Sequence, residues 1–225
     1  MQSSLRVRVS SFFRRLALAA PLALGLLHPA VSSAQTADFR GAVASDDARF
    51  AAHWVLQAAD HQGLPFAVVD KRDARLYVFD ANGRLLGASA VLLGVAPGDH
   101  SVPGVGQRAQ SYLPATERTT PSGRFASEPG HNLSGEDIVW VDYDAAVAIH
   151  RLRPADPRER RPQRLASPTP DDNRISAGCV VVPIAFYEQV VRPTLGRVRG
   201  VVYVLPETRP VRDMFRAADA WSDPS

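Results

Sequence analysis

The chain of 225 residues has one cysteine, one lysine and two methionines, and these scarcities exclude several arrangements. With Cys179 alone, no intramolecular disulfide can form, and no His/Cys cluster shows zinc-ligand spacing. Lys71 is the only lysine, so the remaining basic charge is carried by arginine. Long apolar runs are missing too: the longest, 16–27, has 12 residues, too few for a helix to cross a bilayer.

That run belongs to a different pattern. Arg6, Arg8, Arg14 and Arg15 precede it, and Ser32, Ser33 and Ala34 follow it before Gln35. Residues 1–34 therefore read as a secretory signal, with a retained N-terminal anchor as the alternative. The expected protein is exported, periplasmic or cell-wall associated, without a stable membrane anchor once the signal is cleaved. Arg14 and Arg15 lack the flanking residues of a good twin-arginine signal, which favours general secretion. No cysteine beside the signal is available for a lipid anchor. Four of the 26 basic residues lie in this segment, leaving 22 against 23 acidic ones and a mature charge of about −1. Nucleic acid is not an expected partner, since binding it relies on clustered positive charge.

Beyond the signal, apolar residues at helical spacing over 46–61, with Asp46 or Asp47 as a cap and Gly63 as a stop, predict an amphipathic helix. Runs rich in β-formers predict strands at 66–69, 75–79 and 85–93, with Asn82-Gly83 as the hairpin turn. Residues 94–120, rich in Gly, Pro and Ser, read as a long loop. Further strands are expected at 138–141, 146–152 and 174–176, then a helix from Pro183 and a strand at 201–205. The predicted division is a helical segment at 35–64, a mostly β catalytic domain at 65–206 and a polar tail at 207–225 with one weak helical stretch.

Cys179 follows Gly178 and the short strand ending at Ser176, just ahead of a helix. A small residue before a nucleophile admits a substrate carbonyl, and the Gly178 and Cys179 amides are candidate donors to an oxyanion. His150, at the end of a buried-looking strand 29 residues earlier, is the histidine best placed to serve as base. On position alone, a core histidine and a buried free cysteine remain open alternatives.

In this order the motifs resemble the YkuD-type L,D-transpeptidase catalytic domain over about 66–205. The hairpin KRDARLYVFDANGRLLGASAVLLG resembles its opening strands. TTPSGRF, with Thr120, Pro121, Gly123 and Phe125, resembles its Thr-Pro-x-Gly-x-Phe signature, and His150 with Ser176, Gly178 and Cys179 resembles its catalytic motif. The resemblance implies a β-sandwich-type catalytic domain with a leading helix and a helix after the cysteine, needing no cofactor. It further implies that Cys179 attacks the amide between the third and fourth residues of a peptidoglycan tetrapeptide stem, expelling D-alanine. The acyl-enzyme then passes to an amine of a second stem or a lipoprotein, with His150 as base and acid and Ser176 orienting the imidazole. Three positions depart from the family pattern. Ala177 replaces a histidine, Val181 replaces an Arg or Asn, and Arg151 replaces a glycine. Arg158, Arg160, Arg161 and Arg164, in the loop at 153–173, are candidates to grip stem carboxylates, against a solvated surface; Arg151 and Arg174 join them as candidate substrate-binding residues. Two other functions stay open: an L,D-carboxypeptidase, in which water resolves the acyl-enzyme, and a catalytically silent peptidoglycan-binding module.

Overall fold

Ser45 opens the first helix by accepting the Ala48 amide at 3.0 Å, and Asp46 and Asp47 place negative charge in its first turn. The computed structural model describes residues 36–219, so the expected signal lies outside the described residues. Helix α1 (Asp46–Gln57) leads into β1 (Phe66–Asp70), β2 (Arg75–Phe79), β3 (Leu85–Ala90) and the short β4 (Leu93–Gly94). A loop with 3-10 turns precedes β5 (Gly123–His131), β6 (Asp137–Asp142) and β7 (Val147–Arg151). A second loop carries α2 (Arg161–Ala166) into β8 (Arg174–Ser176), followed by β9 (Val180–Val182). The chain continues through α3 (Ile184–Phe186), a π turn (Tyr187–Val191), β10 (Gly200–Val204) and α4 (Val211–Asp219). The fold is mostly β, with a helix before the sheet and another after Cys179.

Eight strands form one sheet in the order β3-β2-β1-β10-β5-β6-β7-β9. Its edges meet: Leu92 and Val181 exchange backbone hydrogen bonds of 2.8 and 2.9 Å, which brings the sheet close to a barrel and leaves fewer open edges. Strand alternation then separates two cores. Ala67, Val69, Leu76, Val78, Ile149, Val180 and Val202 face inward with Tyr187 and Val191. Phe66, Val68, Tyr77, Phe79 and Tyr203 face outward beneath α1 and α4. Each large apolar side chain fully buried this way contributes about 1.5–3 kcal/mol.

Several boundaries differ from expectation for identifiable reasons. Helix α1 ends at Gln57 because Ala59 turns left-handed (φ 50°), and His61 lies buried between the Val55 and Ala81 carbonyls at 3.3 and 3.0 Å. The expected strand at 85–93 divides into β3 and β4. The nine residues of β5, containing Gly123, Pro129 and Gly130, were masked by residues that disfavour strands. The tail does not stand apart: Phe215 of α4 packs on Phe50 and Trp54 of α1, with ring centroids 5.7 and 4.7 Å apart. The segments at 36–64 and 207–219 thus complete the outer core rather than form appendages. No helix among the described residues is long and apolar enough to cross a membrane.

Candidate active site

Over β1, β2 and β10 the outward face is covered by helices; over β7 and β9 it carries polar chemistry. Register sets His150 opposite Val181 and Ile149 opposite Val180, so Cys179 stands diagonal to His150 on adjacent parallel strands. Diagonal neighbours lie roughly 7–8 Å apart. Cys179 is half-buried, and its thiol donates to the Ala146 carbonyl at 3.7 Å rather than to the imidazole. Burial pushes its pKa up, opposed by the Ala148 amide and by the charge of Arg153. At rest the group is a thiol.

His150 is 8% exposed, and its Nδ1 is 2.8 Å from the Arg151 carbonyl. That carbonyl can only accept, so Nδ1 carries the proton and Nε2 is left as a base. Burial lowers the pKa of His150 to about 4; the Arg151 hydrogen bond opposes this, the charges of Arg153 and Arg161 reinforce it, and Glu136 opposes it. A neutral thiol beside a neutral imidazole suits proton transfer during attack rather than a standing ion pair.

The turn that presents Cys179 is fastened from both sides. Ser176 Oγ donates to the Cys179 carbonyl at 2.7 Å and accepts the Gly178 amide at 3.1 Å. This corrects two expectations: the Ser176 hydroxyl braces the turn instead of orienting His150, and the Gly178 amide is already bonded to Ser176 Oγ. Gly178 has φ +132°, and a Cβ there would meet the Thr119 carbonyl at 2.9 Å, so glycine is required. Thr120, fully buried, donates its hydroxyl to the Gly178 carbonyl at 2.8 Å and accepts the Gly94 amide at 2.9 Å. The TTPSGRF motif thereby becomes part of the support of the cysteine.

Behind Thr120 lies a buried ionic network with no counterpart in the sequence reading. Lys71 Nζ donates to Asp99 Oδ1 (2.9 Å), the Thr120 carbonyl (3.0 Å) and the Gly98 carbonyl, with Glu207 at 3.3 Å. Burial alone would raise the Asp99 pKa, but hydrogen bonds from Thr208, the Glu207 amide and Lys71 outweigh it and hold the carboxyl well below the usual carboxylate range. Arg174 belongs here too, bonded to the Lys71 carbonyl at 2.9 Å and paired with Glu207. The expected substrate-binding role does not fit it. A lone lysine one residue past a buried strand was the available signal.

The other arginines separate by environment. Arg151 pairs with Glu188 at 2.6 Å and lies over the Tyr187 ring, which occupies it structurally. Arg164 bonds the Glu159 and Asp172 carbonyls at 2.9 and 2.8 Å, bracing the loop itself. Arg161 pairs with Glu159 but lies near enough to His150 to depress its pKa, as does Arg153, which is 2.7 Å from Glu136. Arg158 and Arg160 are exposed. Within the loop at 153–173, Arg153 and Arg161 are the charges that act on His150. Three surface clefts of about 280, 390 and 380 Å³ are lined by other residues than Cys179 and His150. Among the described residues no group of His, Cys, Asp and Glu is arranged to hold a metal ion.

No family model and no curated protein matches this chain. Solved structures resemble it in part. The helical cell shape determining protein Pgp2 from Campylobacter jejuni is 15% identical, with 71% of this chain and 57% of that one covered at a TM-score of 0.41. The L,D-transpeptidase from Xylanimonas cellulosilytica is 16% identical, covering 63% and 60% at a TM-score of 0.37. The L,D-transpeptidase from Mycobacterium smegmatis is 19% identical, covering 62% and 58% at 0.32. This chain spans less than two thirds of the length of each.

Proposed function

We propose that the chain is an exported cysteine acyltransferase of the L,D-transpeptidase type, acting on peptidoglycan stem peptides. The observation that carries the reading is the pairing of β7 with β9, which sets a neutral, tautomer-fixed His150 diagonal to Cys179 on one sheet face. As Sγ attacks the stem carbonyl, Nε2 takes the thiol proton, and the Cys179 amide faces the oxyanion. His150 returns the proton to the departing D-alanine nitrogen, leaving a thioester. An amine of a second stem or a lipoprotein then attacks the thioester carbonyl, giving up a proton to His150; as the C–S bond breaks, His150 returns that proton to the departing Cys179 sulfur and the new amide is released.

The test is intact mass after incubation with a carbapenem, followed by muropeptide analysis. A single adduct at Cys179 is expected, absent from Cys179→Ala. No adduct, together with no stem turnover, sinks the enzymatic reading and leaves the silent binding module, which the bonding of the thiol to Ala146 favours. A cross-linked product identifies the transpeptidase, and a trimmed tripeptide alone identifies the carboxypeptidase.

A further inference from the structure

The sheet face that carries His150 continues past β7 into an aromatic platform. Trp140 of β6 pairs with Ala148 of β7, and Cys179 directly precedes Val180, the β9 partner of Ile149, so it stands beside Ala148 on the far side of β7. Trp140 and Cys179 are thus two strand spacings apart, roughly 9–10 Å, with one methyl side chain between them. The indole is pinned in place: a Cβ on Gly130 of β5 would fall 2.5 Å from its Cδ1 and 2.7 Å from its Nε1, so only glycine leaves it room. Tyr143, in the turn between β6 and β7, stacks on the indole with centroids 4.7 Å apart and planes at 26°. Despite that stacking, Tyr143 is 58% exposed. Its chain neighbours Asp142 and Asp144 line a cleft of about 280 Å³.

A rigidly backed aromatic face open to solvent, with the carboxylates of Asp142 and Asp144 adjacent to it in the chain, offers a pyranose an apolar surface for the C–H face of the ring and acceptors for its hydroxyls. Distance selects the sugar over the peptide. In the substrate proposed above, the stem joins its sugar three residues before the bond attacked, and three extended residues span about 10 Å. That matches the separation of Cys179 from Trp140, on which Tyr143 stacks.

We infer that Tyr143, backed by Trp140, is a sugar subsite that receives the pyranose ring bearing the stem peptide, an assignment that rests on the proposed function. Turnover of a disaccharide-tetrapeptide and of the free tetrapeptide, compared by kcat/KM, tests it. The wild-type protein is expected to prefer the glycosylated substrate by about tenfold. Tyr143→Ala removes most of that preference, and Tyr143→Trp restores it. A preference that survives Tyr143→Ala, or none in the wild type, overturns the subsite. Chitotetraose, titrated while the indole N–H resonance of Trp140 is followed by NMR, judges the platform without catalysis. If neither peptide reacts, the functional reading fails on its own. In that case saturable shifts that vanish in Tyr143→Ala uphold the sugar subsite, and the absence of shifts overturns it.

Discussion

Lys71 and His150 are both buried polar side chains, yet they are bonded in opposite ways. Lys71 Nζ has Gly98, Asp99, Thr120 and Glu207 around it, so its donors are saturated and its charge is matched. His150 has one ring nitrogen bonded and the other open, and the thiol's own donation, to the Ala146 carbonyl, is weak at 3.7 Å. A saturated ion fixes structure, because every displacement loses hydrogen bonds. Open polar atoms held close together retain the capacity to move a proton. The two regions meet at Thr120, whose carbonyl belongs to the first and whose hydroxyl holds the turn of the second.

The sharpest way to break this contrast is to delete each side in turn. Cys179→Ala is expected to abolish stem turnover, by at least about 10³-fold, and to leave the circular dichroism spectrum and melting temperature nearly unchanged, since Cys179 bridges nothing. His150→Ala should behave alike. Substantial turnover in either variant removes them from catalysis. Lys71→Met should do the reverse, leaving Asp99 and Glu207 without their cation and lowering unfolding free energy by about 3–5 kcal/mol in urea titrations.

Acidity provides a second separation. His150 has a folded pKa below its unfolded value, so its contribution to stability is complete above about pH 6.5 and declines as pH falls toward 4. Roughly 3 kcal/mol is at stake over that window. His150→Gln should flatten the loss in denaturation curves measured from pH 7 to 4. For the same reason the acid limb of kcat/KM should fall near pH 4 rather than 6.5, and a limb at 6.5 would place the imidazole in water instead.

Thr120→Val keeps the side-chain shape and deletes the bonds to Gly94 and Gly178. Iodoacetamide modification of Cys179 and stem turnover should each change by about tenfold, with Thr120→Ser restoring both; equal rates in all three proteins would mean that the turn holds without it. The smallest effect is expected from the exposed arginines. Replacing Arg158 and Arg160 by glutamine should alter KM by no more than about threefold, and only at low salt. Glutamine at Arg153 and Arg161 should instead move the acid limb upward, because both charges depress the His150 pKa. Identical pH profiles would remove these arginines from the site.

Much of this molecule was legible before folding. The expected strand at 75–79 coincides with β2, the expected strand at 174–176 with β8, and the Asn82-Gly83 turn joins β2 to β3 as predicted. These features are local: β-branched runs and a turn dipeptide act over a few residues. The candidate pair Cys179 and His150 was singled out by the order of the motifs around them, since position at strand ends alone left a core histidine and a buried cysteine open. β5 escaped because its pairing with β10 and β6, not its composition, makes it a strand.

What the sequence determined by itself was most of the strands, the leading helix and the candidate pair Cys179 and His150. Tertiary structure decided what each polar residue does. Arg174 and Arg158 look alike in the chain, but one is drawn into a buried network with Glu207 and the other stays in solvent. Ser176 was assigned to the imidazole until the turn brought its hydroxyl onto the backbone of Gly178 and Cys179. Lys71 gained its role only when the segments around Asp99, Thr120 and Glu207 converged on it across 28 to 136 residues of chain. Burial and charge pairing depend on which distant segments arrive at the same place, and that is settled by packing of the whole sheet rather than by any neighbourhood of the sequence.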